Sequence, residues 1–340
     1  MVVVELYPVA VLMCFVTMLC WGSWANTQKL ASKEWRFQLY YWDYAIGVFL
    51  LSVILAGTMG SIGSAGRPFW TDLRQASGSA LGYAFLGGVI FNLSNILLVA
   101  AIDIAGLAVA FPIGVGLALV IGVVVNYIGE PVGNPVLLFL GMGIVVLAII
   151  VDALAYKKLP AEGQKSTTKG IVVSVLAGVL MGWFFRFVVK SISPAFISGQ
   201  DYINLQAGYL GPYTAVVLFS AGLLLSNFVW NSIVMAKPFV GEPVPYSDYF
   251  KKGNLRLHML GILGGIIWNI GMSFSIIASG VAGPSISYGL GQGATMVAVF
   301  WGVFIWKEFK QAPSGTNRLL TAMFVFYATG LALIIISKLV

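Results

Sequence analysis

The sequence predicts an all-α integral membrane protein whose ten transmembrane helices form a 5+5 inverted repeat. Three observations carry that prediction. The 340 residues are 59% hydrophobic and only 9% charged, with a mean hydropathy of +0.93, whereas a soluble domain carries roughly 25% charged residues. Crossing a bilayer takes about twenty mostly apolar residues, and such runs recur ten times. Two of those runs hold nearly the same six letters, GGVIFN at Gly87–Asn92 and GGIIWN at Gly264–Asn269.

The first run, Tyr7–Thr27, follows Glu5 and has no basic segment before it, so it reads as a retained helix and not a cleaved signal peptide. Its Cys14 and Cys20 point to different helical faces, which excludes a disulfide between them. Leu39–Gly57, Ala80–Ile102, Leu107–Asn126 and Val136–Ala155 complete a first half, residues 1–155. A short cytoplasmic linker, residues 156–169, leads to a second half, residues 170–340. That half holds Gly170–Val189, Gly208–Val234, Arg256–Ile277, Pro284–Trp306 and Leu319–Lys338. No connection between the spans, Lys237–Asn254 included, is long enough for a soluble domain.

Lysine and arginine set the orientation. With the N-terminus outside, fourteen of them fall in cytoplasmic loops, four fall opposite, and Arg186 stays inside the membrane. The positive-inside rule therefore places both termini on the extracytoplasmic side of the plasma (inner) membrane. The net charge of +7 belongs to those loops. No basic run with interleaved aromatics points to nucleic acid. A single His258 and no Cys/His cluster leave no transition-metal site.

Aligned without a gap from Gly87 and Gly264, nine of thirty positions are identical, including Asn92/Asn269, Gly106/Gly283 and Gly116/Gly293. A one-residue shift then pairs Glu130 with Glu308. The third and fourth helices thus correspond to the eighth and ninth. Five spans is an odd number, so the second half enters from the opposite side, the arrangement that builds two related gates around one midplane site.

Polar groups are costly in hydrocarbon and tend to face the bundle interior. The candidate solute-binding residues are Asn92 and Asn95 on the third helix, Asn269 on the eighth, Trp24 and Asn26 on the first, Tyr288 and Gln292 on the ninth, and Trp183 and Arg186 on the sixth. Amides, hydroxyls and aromatic rings suit a neutral polar solute, flat or ring-shaped. The alternative role for each Asn is a bond to a neighbouring helix. Arg186 either holds a solute oxygen or snorkels to the outer surface. Asp43, set among Tyr40, Tyr41, Trp42 and Tyr44, is the candidate for a coupling proton, with a salt bridge to Lys29 or Lys33 as its alternative. Asp103 and Asp152 lie at helix ends on the same cytoplasmic side.

The stretch LCWGSWANTQKLASKEWRFQLYYWDYAIGVFL resembles the first two helices of the ureide permease family, within the drug/metabolite transporter superfamily. GGVIFNLSNILLVAAIDIAGLAVAFPIGVG resembles its third and fourth, and SGVAGPSISYGLGQGATMVAVFWGVFIWKEF its ninth. Bacterial glucose/ribose uptake porters are similar in the same features. The resemblance implies ten helices in two inverted halves around a cavity lined by helices 1, 3, 4, 6, 8 and 9. It also implies secondary active uptake, often proton-driven, of small polar compounds such as ureides, nucleobases or sugars. Plant members carry a long central loop with a phosphate-loop-like sequence; the linker here is short and holds no GxxxxGK[ST], so no nucleotide cofactor is implied.

The expected function is therefore secondary transport of a small solute across the lipid bilayer by alternating access, with protons as the coupling partner. An exporter of the same superfamily or an uncoupled sugar facilitator are the alternatives. An intramembrane enzyme would need a nucleophile with a base, or paired carboxylates at membrane depth; the scattered acids offer neither. A channel would show a charged ring, and none is evident.

Overall fold

The computed structural model describes residues 1–159 and 168–340, so Lys165 and most of the linker lie outside the described residues. Among the described residues, ten helices are long and apolar enough to cross a membrane: α1 Tyr7–Ala31, α2 Phe37–Gly57, α3 Gly78–Ala105, α4 Val109–Gly129, α5 Pro135–Tyr156, α6 Thr168–Ser191, α7 Pro212–Ala236, α8 Leu255–Ala282, α9 Pro284–Ile305 and α10 Thr316–Ile336. The only strand-like pairing among the described residues is an isolated bridge between Ile192 and Leu210. Short helices at Phe69–Gln75, Pro194–Ile197 and Ser247–Lys251 cap the connections.

Local chemistry sets the helix ends. Ser77, Asn134 and Asn254 cap α3, α5 and α8, their side-chain oxygens accepting from Ala80 N, Val136 N and Leu257 N, each cap worth about 1 kcal/mol. Proline opens α5, α7 and α9, where the first turn has no use for an N–H. Gly106 and Gly283, paired in the alignment, each join two successive helices with no intervening loop. Their φ values of +81° and +88°, with extended ψ, belong to a region essentially restricted to glycine.

Packing repeats the same pairing. Helix α8 crosses α2 at Gly265 and Gly47, where an added Cβ would lie 2.1 Å from the Tyr44 carbonyl oxygen and 2.2 Å from that of Ile262. Helix α3 crosses α7 at Gly88 and Gly222, with corresponding distances of 1.9 Å to Phe219 O and 2.1 Å to Phe85 O. Within lipid no hydrophobic force draws helices together, so small residues and interhelical hydrogen bonds must do it. The asparagines supply the bonds. Asn269 Nδ2 donates to Val48 O at 3.0 Å, and Asn92 Nδ2 donates to Leu223 O at 3.1 Å and Ser226 Oγ at 2.9 Å. Helix α5 packs along α10, while α6 packs on α3 and α4, and α1 packs on α8 and α9. Large exposed side chains such as Leu12, Leu140 and Val229 form the lipid-facing surface.

Candidate functional site

A cavity of about 310 Å³ lies among α1, α3, α4, α5, α6, α8 and α9, at the lower end of small-molecule sites, roughly 300–1,000 Å³. The positions of its lining residues give its direction. Trp24 and Gln28 stand in the last part of α1, Asn95 and Ile102 in the second half of α3, Phe111 early in α4, and Asp152 and Tyr156 at the close of α5. All lie toward the end of the molecule that carries Lys29, Lys157 and Lys158, here called the basic end. The floor, near mid-length of its helices, is Phe91, Phe184, Trp268 and Gln292.

The floor is aromatic and tightly built. Phe91 and Trp268 ring centroids stand 4.4 Å apart, and Trp21 stacks on Trp268 at 5.8 Å and 14°. Trp21 Nε1 also donates to Trp268 O at 3.2 Å, fixing the indole. Helix α1 is interrupted at Trp24, and α9 at Gln292–Gly293, so two cavity residues stand at helix breaks. The polar groups are few. Asn95 Nδ2 donates to Tyr41 OH at 3.1 Å; its Oδ1 accepts from no protein donor among the described residues. Among the described residues, Gln28 and Gln292 complete the amides, and Asp152 is the one acid in the lining.

Of the residues predicted to bind solute, the structure brings Trp24, Asn95 and Gln292 to the cavity. Asn92 and Asn269 instead face the helix crossings described above, fully buried. Successive residues on a helix point about 100° apart, and in each hexapeptide it is the fifth letter, Phe91 or Trp268, that reaches the cavity. Tyr288 lies just beyond the floor, donating to Ala118 O or Met181 O at 3.2 Å and packing on Phe185 at 5.3 Å. Asn26 is tied locally, donating to Ser23 O at 2.8 Å and accepting from Trp306 Nε1 at 2.6 Å. Trp183 is 43% exposed on the lipid side of α6. Arg186 lies over Gly129, 3.9 Å from Glu130 Oε1, away from the cavity.

Asp43 is also outside the cavity, and its partner is neither Lys29 nor Lys33. Its carboxylate lies 3.0 Å from His258 Nδ1 and accepts from Tyr249 OH, a knot joining α2, α8 and the helix Ser247–Lys251. Burial and the bond to Asp43 push the Tyr249 phenol above its ordinary range. Lys29 instead pairs with Glu308 at 2.5 Å. Sequence reasoning passed over Phe91, Trp268, Phe184, Gln28 and Tyr156. The signal for α3 was present: Phe91, Asn95, Leu98 and Ile102 follow a three/four spacing that marks one helical face.

With the geometry in place, comparison with known proteins decides the lineage. The ureide permease family model matches residues 40–169 and 161–337, dividing at the central linker. The chain belongs to the ureide permease family. Ureide permease 1 of Arabidopsis thaliana is 22% identical over 97% of both chains, and ureide permease 4 of the same plant is 23% identical over 99% of both. A solved crystal structure shares the fold over 97% of this chain and 98% of its own, with a TM-score of 0.57 and 16% identity. The family consists of permeases, so the chain is a multi-span membrane transporter of small solutes and not an enzyme.

Proposed function

We propose that this chain takes up a small, neutral, flat polar solute of the ureide class, coupled to protons, by alternating access. In this reading it sits in the plasma membrane with both termini outside and the basic end in the cytoplasm. Two inverted halves, residues 1–155 and 170–340, form the site between them, with the segment 156–169 as the cytoplasmic linker.

The observation that carries this reading is an asymmetry between paired positions. Leu98, Val99 and Ile102 of α3 line the cavity on the basic side of the floor. Their partners by the repeat, Ser275, Ile276 and Ser279 of α8, are fully buried on the other side. There Ser275 and Ser287 hydroxyls meet at 3.0 Å. One half is open and its counterpart is closed, which is what one state of an alternating pair requires. Ion pairs stand at paired positions of the two halves: Lys29–Glu308 ties α1 to the basic end of α9 at 2.5 Å, and Arg186–Glu130 joins α6 to the far end of α4 at 3.9 Å. Interrupted helices at a midplane site belong to the same design.

The chemistry of the lining supports the solute class. Aromatic faces stack on a planar ring, and three amides offer both donors and acceptors to ureido N–H and C=O groups. Among the described residues no lysine or arginine lines the cavity, which disfavours an anionic solute. Flat walls favour a ring such as allantoin or a nucleobase over a puckered sugar. Thermal-shift binding with allantoin, uracil, glucose and ribose tests this: allantoin should stabilise the purified protein, and Trp268→Ala should weaken the effect. Stabilisation by a sugar but not by allantoin would refute the ureide assignment.

A further inference from the structure

The cavity contains a titratable group for which neutral-solute recognition has no use. Asp152 lines its wall near the close of α5 and is 3% exposed, and its Oδ1 is buried without a hydrogen-bond donor. No ion pair among the described residues includes it. Its electrostatic neighbours are neutral phenols, Tyr156 one turn on and Tyr327 of α10. Tyr327 shares a hydrogen bond with Thr295 of α9. The other charges at this end have partners or face outward. Glu308 accepts from Tyr156 OH at 3.3 Å and from Lys29, and Arg318 of α10 is exposed. Helix α4, also packed on α5, brings no titratable side chain to the basic end.

A buried carboxylate without a cation or donors is strongly disfavoured, and groups of that kind inside membranes mark ion and proton pathways. Neutralisation must therefore come from what enters the cavity. From this geometry we propose that Asp152, and not Asp43, is the group that binds the coupled proton. The inference rests on the reading of this cavity as the transport site. The step is a single O–H bond. A carboxylate oxygen takes a proton from water when the site opens to the far side, holds it while the basic end is closed, and returns it to water when that end reopens. Asp43 is unsuited to this role because its carboxylate already accepts from Tyr249 and contacts His258, outside the cavity.

The test uses proteoliposomes of wild type, Asp152→Asn and Asp152→Glu with labelled allantoin. At one proton per solute, a gradient of one pH unit should let the wild type concentrate allantoin about tenfold. Asp152→Asn should accumulate allantoin only to a ratio near one, whatever the imposed pH gradient. Asp152→Glu should restore the gradient response. Tryptophan fluorescence of the purified protein gives a solute-independent readout, since Trp21 and Trp24 line the same cavity. It should show a pH transition in wild type that Asp152→Asn lacks.

Three results would overturn the assignment: Asp152→Asn that still concentrates tenfold, a folded Asp152→Asn that keeps the wild-type pH transition in fluorescence, or a wild type driven by a sodium gradient alone. A wild type that shows the Asp152 transition but does not exchange allantoin would refute the ureide reading while supporting the proton site.

Discussion

Two glycines on neighbouring helices, both identical across the repeat, should respond to alanine with opposite signs. At Gly88 an added Cβ would stand 1.9 Å from Phe219 O, whereas an ordinary contact needs about 3.4 Å. Helices α3 and α7 would have to part locally by about 1.5 Å, and backbone cannot rotate aside as a side chain can. That separation carries the Asn92–Leu223 bond, now 3.1 Å, beyond hydrogen-bonding range. Overpacking costs about 1–3 kcal/mol and the lost bond about 1 kcal/mol, against about 1 kcal/mol gained in helix propensity. Gly88→Ala should therefore destabilise by about 1–3 kcal/mol. At Gly116 no atom lies within 4 Å of the added Cβ, so only the propensity gain remains, about 0.5–1 kcal/mol. Thermal melting in detergent, followed by fluorescence-detected size exclusion, reads both. Gly265→Ala, at 2.1 Å from Tyr44 O, should behave as Gly88→Ala does. A Gly88→Ala protein that melts at or above wild type would refute the reasoning that these crossings are set by backbone contact.

Trp268→Ala removes one face of the floor and should weaken allantoin binding about two- to tenfold, the worth of one aromatic contact; isothermal titration measures it. Asn92→Ala and Asn269→Ala should leave that affinity within about twofold while each lowers stability by about 1 kcal/mol, and a larger loss of affinity would return these asparagines to the binding site. Lys29→Glu should slow uptake, and adding Glu308→Lys should recover at least half of the loss; a double variant no better than the single one would show that the pairing of these two charges does not matter to uptake. In a background without Cys14 and Cys20, a cysteine at Lys251 should be labelled only after permeabilisation and one at Gln200 from outside. The reverse pattern would invert the topology.

The spans were legible because the bilayer imposes their length and polarity whatever else the chain does. The paired glycines were legible as well, since a position such as Gly106 or Gly283 admits little else. The direction of each polar side chain was not legible. Sequence reasoning favoured asparagines for a site because polarity inside a membrane is rare, yet polarity there has two uses, contacting a solute or holding a neighbouring helix. Only the partner helix tells them apart, and α7 lies 131 positions from Asn92 at Leu223. The knot around Asp43 was invisible for the same reason, its partners standing 206 and 215 positions away. Asp152 was set aside because it lies near a helix end. A cavity that reaches from the midplane to one end, however, makes depth along the helix a poor guide to access. The aromatic pair in the hexapeptides shows what a better reading weighs. Phe91 and Trp268 differ in letter but not in kind, whereas each neighbouring glycine and asparagine is identical. Packing at a close crossing such as Gly88 or Gly265 tolerates no change of shape, while the wall of the cavity needs only a ring at Phe91 and Trp268, so the crossings keep the letter and the cavity wall keeps the kind.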